Sequence, residues 1–216
     1  MDNQKISVVI RTRNEEKYIG FSIQSCIDNF KNPEIIIVDD NSSDETLKIV
    51  SLFDKYDIKI YKIKKSYSPG YSLNYGVSKC NNDLVLILSA HCQIINMNLK
   101  IVYELLIKHR AVFGNQIPIF YGKKISKRYI WSHFGKKEEI NLYSSIEDRY
   151  FLHNAFCFYR KSFLELNPFD ESLSGKEDRY WAINLVDKLE QSFIYSPNLE
   201  AYHFYTQKGA TWKGIG

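Results

Sequence analysis

The segment IIIVDDNSSDET, residues 35–46, changes character halfway along. Ile35, Ile36, Ile37 and Val38 are all β-branched, with no polar residue interleaved. Such a run belongs to a strand buried on both faces, as in a parallel sheet covered by helices. Asp39, Asp40 and Asn41 then supply turn chemistry. Ser42 stands three residues before Glu45, the spacing of a capping box, and Leu47, Ile49, Val50 and Phe53 continue at helical period. Strand, polar tip and helix in that order form the repeating unit of an α/β protein.

The same unit recurs on both sides. Upstream, KISVVIR (5–11) reads as a buried strand, followed by a helix carrying Ile19, Ile23, Cys26, Ile27 and Phe30. Downstream, IKIYKIK (58–64) alternates like a more exposed strand, and PGYSLNYGVSKC (69–80) turns into a short helix. DLVLILSA (83–90) is a fourth strand, MNLKIVYELLIKH (97–109) a helix, and AVFGNQIPIF (111–120) another strand. This order predicts an α/β fold with a mostly parallel central sheet flanked by helices. Beyond residue 120 the periodicity weakens. Residues 121–145 are polar and basic and read as a mobile loop region, before organised stretches resume at 151–166, 177–189 and 192–204. The expected organisation is one domain over 1–216, with a nucleotide-facing half (1–120) and an acceptor-facing half (121–216).

Composition narrows the class. The chain has 216 residues, 44% hydrophobic and 25% charged, which suits a globular domain with a core of its own. A net charge of +4 with scattered Lys and Arg argues against nucleic acid. It stays compatible with an anionic small molecule or with peripheral contact to an anionic membrane face. The four cysteines (26, 80, 92 and 157) form no Cys-x-x-Cys pair and read as buried free thiols of a reducing compartment. The opening MDNQKIS lacks the apolar core of a signal peptide, and no apolar run reaches the length of a membrane span. A cytoplasmic protein is expected.

In a parallel sheet, ligands bind beyond the carboxyl ends of the strands. Those ends read Arg11-Thr12-Arg13-Asn14-Glu15, Asp39-Asp40-Asn41 and Ser89-Ala90-His91. No Gly-x-Gly-x-x-Gly and no P-loop is present, so side chains rather than a glycine-rich backbone must grip the ligand. A carboxylate such as Asp40 can accept from a base N–H or a ribose hydroxyl. A plainer account of Asp39 and Asp40, a turn that caps the next helix, accounts for one of them more readily than for both. Asn74, on the helix opened by Pro69-Gly70, is a further candidate donor contact.

Taken together, VVIRTRNEE, IIIVDDNSSDET, SPGYSLNYGVSKCNNDLVLILSAH and HNAFCFYRKSFLELNPFDESLSGKEDRYWA resemble the inverting family 2 glycosyltransferases of GT-A fold, over about residues 5–205. The resemblance implies transfer of a sugar, with inversion, from a nucleotide-diphosphate donor to a hydroxyl acceptor. A UDP-sugar is the first expectation for the donor. A glycan, a lipid-linked sugar or a protein is the expected acceptor, in the making of bacterial surface glycans and at the inner face of the membrane if membrane-associated. It assigns Thr12, Asn14 and Glu15 to the donor-binding segment, Asp40 to the base, and Glu177-Asp178 to the pair holding the catalytic base, Asp178 before Glu177. An inactive nucleotide-sugar-binding module or partner subunit is the alternative, and a nucleotidyltransferase a weaker one.

One place departs from the family pattern. Where its members carry Asp-x-Asp, this chain reads Ser89-Ala90-His91, so His91 takes the metal-ligand position and His203 stands where a further ligand is expected. Imidazole ligates Mn²⁺ more readily than Mg²⁺, which prefers oxygen. Mn²⁺ is therefore the expected cofactor. A protonated His91 that itself offsets phosphate charge is the metal-free variant. The chain closes at TWKGIG soon after His203, which in this family implies single-sugar addition rather than processive synthesis.

Overall fold

The structure is a computed structural model of the chain; it describes residues 5–63, 68–125, 129–207, 209 and 212. The main elements, in order, are β1 (Ser7–Thr12), α1 (Ile19–Asn29), β2 (Glu34–Asp39), α2 (Thr46–Ser51), β3 (Ile58–Lys62), α3 (Pro69–Ser78), β4 (Leu84–Leu88), β5 (Cys92–Asn96), α4 (Leu99–Lys108) and β6 (Ala111–Phe120). They continue with the short strands β7 (Lys123–Lys124), β8 (Glu139–Ile140), β9 (Tyr143–Ser144) and β10 (Arg149–Tyr150), then β11 (Phe156–Arg160), α5 (Lys161–Leu166), α6 (Glu177–Ile183) and β12 (Phe193–Phe204). Lys64 and residues 126–128, parts of the expected third strand and loop region, lie outside the described residues, as do 213–216.

The central sheet runs β3-β2-β1-β4-β11-β6-β12-β5. Its first half is parallel throughout, in keeping with the buried apolar runs of β1, β2 and β4. Beyond β4 the sheet becomes mixed: β11 is antiparallel to both β4 and β6, β12 runs parallel to β6, and β5 is antiparallel to β12. Successive side chains along each strand point to opposite faces, and both faces are packed. Val9, Ile36, Val38, Val85 and Ile87 meet Leu73 and Val77 of α3 and Trp181 of α6 on one side. Val8, Ile10, Ile35, Ile37 and Leu86 meet Ile19 and Ile23 of α1 and Val102 and Leu106 of α4 on the other. Both clusters draw residues from before and after position 120.

Two local expectations are corrected. The capping box does not form: α2 starts at Thr46 after Glu45, with no side-chain cap. Ser42 instead gives its N–H to the Asp39 carboxylate and accepts from Asn14 N, while Asp44 accepts from Thr46 N at 3.0 Å. The loop between β1 and α1 competes for the hydroxyl and wins. The segment read as a loop region, 121–145, also contributes to the core through its described residues. A 3₁₀ turn over Tyr129–His133 puts Trp131 fully inside the core beside Phe134, and Leu142 is buried with them. Its polar residues masked a small set of large anchors.

Candidate active site

Strand direction explains why distant residues meet. The carboxyl ends of β1, β2 and β4 lie at one edge of the sheet. Since β11 is antiparallel to β4, the segment before it, Leu152–Ala155, arrives at the same edge, with Ser89 N donating to Ala155 O at 3.0 Å. The next reversal brings the second half of β6 there with Gln116, and β12, parallel to β6, delivers His203.

At the nucleotide side, Asp40 is buried and accepts from Arg13 at 3.0 Å, the arginine side chain being mostly exposed. Asp39 is fully buried and turned back on its own loop, where it receives the Ser42 N–H. Asn14 and Asn41 both sit in the left-handed region, which asparagine tolerates better than most residues. Asn14 accepts from Ser43 N at 2.8 Å, and Glu15 N donates to Thr46 Oγ1 at 2.7 Å. These bonds lock the loops after β1 and β2 together. Thr12 leaves a buried hydroxyl with no hydrogen-bond partner among the described residues, a group that a ligand would satisfy.

Asn74 is corrected. Its amide donates to Phe169 O (2.9 Å) and the Glu171 carboxylate (3.1 Å), and its oxygen accepts from Phe169 N (3.0 Å). The side chain is engaged in holding the 169–171 loop to α3, so we remove it from the donor contacts. Trp181, on α6, belongs to the core: its indole N–H donates to Asn167 O and its ring packs on Tyr159.

In the middle of the site His91 and His203 stand with ring centres 4.9 Å apart. His91 Nδ1 lies 3.0 Å from Glu15 Oε1, so the carboxylate takes that N–H and Nε2 is the ring nitrogen it does not engage. His203 is fully buried, and its Nδ1 lies 2.8 Å from Gln116 Oε1. Its Nε2 has no hydrogen-bond partner among the described residues. Burial, reinforced by His91 and His153, pushes the His203 imidazole well below its ordinary pKa and keeps it neutral, the form that binds metals. Among the described residues no group of three or more His, Cys, Asp or Glu side chains is placed to hold a metal. Two imidazoles, one with an orphan buried nitrogen and each with Nδ1 tied to an acceptor, nevertheless fit a divalent cation completed by ligands from a bound substrate.

At the far side α6 opens with Glu177 and Asp178, both buried. Asp178 Oδ2 accepts from Asn154 N (3.0 Å) and Arg179 Nη1 (2.9 Å), whereas Oδ1, among the described residues, accepts from Arg179 N alone (2.9 Å). Burial pushes this carboxyl up, but Arg179, His153 and the two backbone N–H groups outweigh it and hold it below the usual range. Glu177 has a looser partner, Arg11 at 3.8 Å, and burial raises its carboxyl. Arg179 is itself buried, bonded to Leu152 O and paired with Glu147 at 3.4 Å. Gln116 and Glu147 escaped the reading of the sequence. Their only signal is a polar residue inside an apolar strand and an acid in a polar segment.

The residues thus form one connected edge: Asp40 to Arg13 on the loop after β1, Glu15 to His91, His91 to His203, and through Gln116 and the 152–155 segment to Asp178, with Glu177 returning to Arg11. Comparison with known proteins agrees in kind. The model of the family "Glycosyl transferase family 2" matches residues 7–166. A Campylobacter jejuni protein named GalNAc(5)-diNAcBac-PP-undecaprenol beta-1,3-glucosyltransferase is 29% identical over 212 residues, covering 96% of this chain and 67% of that one. Staphylococcus aureus TarS 1–349 in complex with UDP-GlcNAc superposes with a TM-score of 0.71 at 21% identity, over 97% of this chain and 61% of that one. GalNAc-T7 with UDP, GalNAc and Mn²⁺ gives 0.72 at 16% identity, over 95% and 45%. The chain therefore has the GT-A fold and spans between about half and two thirds of these proteins' lengths.

Proposed function

Because the chain belongs to glycosyl transferase family 2, we propose that it is an inverting glycosyltransferase of bacterial surface glycan synthesis, moving a sugar from a nucleotide-diphosphate donor to a hydroxyl acceptor. The observation that carries this is the meeting of Asp40, the His91–His203 pair and Asp178 along one sheet edge. In this reading 1–120 faces the nucleotide and 121–216 the acceptor. Asp40 accepts from the base, with Arg13 swinging aside toward solvent. Thr12 offers its free hydroxyl to the donor, and Asp39, Asn14 and Glu15 shape the loops around it. UDP is the first choice of nucleotide and a lipid-linked sugar the first choice of acceptor, in keeping with the Campylobacter relative's name. The site of action is then the inner face of the membrane, reached from the cytoplasm. No helix among the described residues is long and apolar enough to cross a membrane.

His91 and His203 would hold a divalent cation, Mn²⁺ in preference to Mg²⁺ because imidazole nitrogen suits the former. When bound, it offsets the charge that grows on the departing diphosphate. Asp178 takes the proton of the acceptor hydroxyl. The freed electron pair forms the bond to the anomeric carbon from the side opposite the diphosphate, the bond to the diphosphate oxygen breaks, and the configuration inverts. Asp178 suits the base by its placement: its Oδ2 is fixed by Asn154 N and Arg179, and among the described residues its Oδ1 accepts only one bond. Glu177 is the second candidate.

The test is release of UDP from a panel of UDP-sugars with Mn²⁺ and acceptor. Asp178→Asn should lower turnover by about 100-fold or more while leaving UDP affinity within about twofold. Full turnover in that variant would remove Asp178 from the base role. Absence of release from every donor, with tight UDP binding kept, would turn the reading to a donor-binding module.

A further inference from the structure

Gln116 links two buried histidines. Its Oε1 lies 2.8 Å from His203 Nδ1, and its Nε2 lies 3.0 Å from His153 Nδ1. An amide can be turned end for end, and an imidazole can carry its proton on either nitrogen, so these distances alone permit two wirings. A third contact removes the ambiguity. The backbone N–H of Ala155 points to the same His153 Nδ1 at 3.3 Å, and a backbone amide can only donate. His153 Nδ1 is therefore an acceptor. The Gln116 group facing it must be the NH₂, and the group facing His203 must be the carbonyl. His203 Nδ1 must then carry the proton, and Nε2 the bare electron pair. That nitrogen is the one left without a partner among the described residues, on a fully buried side chain whose ring centre stands 4.9 Å from that of His91.

We propose that Gln116 is a positioning residue: with its orientation set by the Ala155 N–H through His153, it locks His203 in the Nδ1–H tautomer and presents Nε2 as an electron-pair donor to a divalent cation. The consequence is specific. A nitrogen so fixed cannot donate a hydrogen bond to a diphosphate oxygen; it can only lend its electron pair, to a cation or to an O–H or N–H donor, and the neighbouring His91 favours the cation. Glu15 does the equivalent for His91 by taking its Nδ1–H. Two ligands then share one arrangement, with the far nitrogen tied and the near one open. The same short segment, His153–Ala155, also gives Asn154 N to Asp178, so the cation side and the base side of the site are set by adjacent backbone groups. This rests on the reading of the cleft as a donor site holding a cation, and the experiment separates the two.

The tautomer is read in the unaltered protein by long-range ¹H–¹⁵N correlation of the histidine side chains. His203 should show a pyrrole-like Nδ1 and a pyridine-like Nε2; an Nε2–H pattern, or an averaged pair, overturns the proposal. Mn²⁺ affinity in the presence of UDP is then measured by electron paramagnetic resonance of the free ion. Gln116→Met keeps the length of the side chain and removes both bonds. It should weaken Mn²⁺ about 10- to 100-fold and release the His203 tautomer, with metal-free UDP affinity unchanged. Gln116→Glu keeps an acceptor for His203 but sets an oxygen against the lone pair of His153 Nδ1, and should recover only part of that loss. Unchanged Mn²⁺ affinity in Gln116→Met overturns the positioning role. If the unaltered protein shows the expected tautomer but takes up no Mn²⁺ with UDP, the cation reading falls and the wiring of His203 stands.

Discussion

Glu34 shows how far a single carboxylate below the site can matter. It is buried at the start of β2, where it accepts from Ser7, from Asn81 N (2.7 Å) and from Lys59 (2.6 Å). Burial alone would raise its pKa, but these bonds outweigh burial and lower it. A carboxyl whose folded-state pKa is depressed adds stability above its unfolded value and loses it as pH falls through the folded value. Glu34→Gln should therefore cost about 1–3 kcal/mol in urea unfolding at pH 7, with the gap to the unaltered protein narrowing on acidification. A gap that stays constant or widens would refute the assignment. Asp40 and His91 could be picked out along the chain because each sits where a strand ends, and Glu177 and Asp178 because their segment resembles the family's. Gln116 could not, because its two partners lie 37 and 87 residues away and their protons follow from a backbone contact.

At the scale of elements, α3 illustrates how a helix is fitted to its neighbours. Pro69 opens it, as the Pro-Gly pair in the sequence announces, and Ser68 caps it. The close approach one residue later carries no such local signal. A Cβ at Gly70 would overlap the backbone carbonyl of Asp170, on the loop that Asn74 holds. A carbonyl cannot turn aside as a flexible side chain does. Gly70→Ala should thus destabilise by about 1–3 kcal/mol despite the better helix propensity of alanine, as read by thermal or urea unfolding. A neutral or stabilising effect would show that the loop gives way freely. The strands β1 and β2 announced themselves by β-branched runs, β3 by alternation and β4 by an unbroken apolar run. β5 did not, because its five residues come directly after the Ser89–His91 turn and their pairing is with the distant β12. Nor was β12 visible as one strand, since Pro197 interrupts it and its register with β6 shifts between Ser196 and Glu200.

For the molecule as a whole, the parallel half of the sheet comes from local pattern, and the antiparallel half depends on contacts between segments far apart in the chain. That second half carries His203, Gln116 and the 152–155 segment to the strand tips, and the site is assembled only because both halves share an edge. Four buried thiols, none in a disulfide, leave packing and hydrogen bonds to hold that edge together, and burial raises the pKa of each thiol. The most direct measurement is a crystal structure with UDP and Mn²⁺, the ion located by its anomalous scattering. The account predicts the base against Asp40, the ion on Nε2 of His91 and His203, and the diphosphate between that ion and the Asp178 end of the edge. UDP bound away from Asp40, or an anomalous peak off both imidazoles, would contradict it.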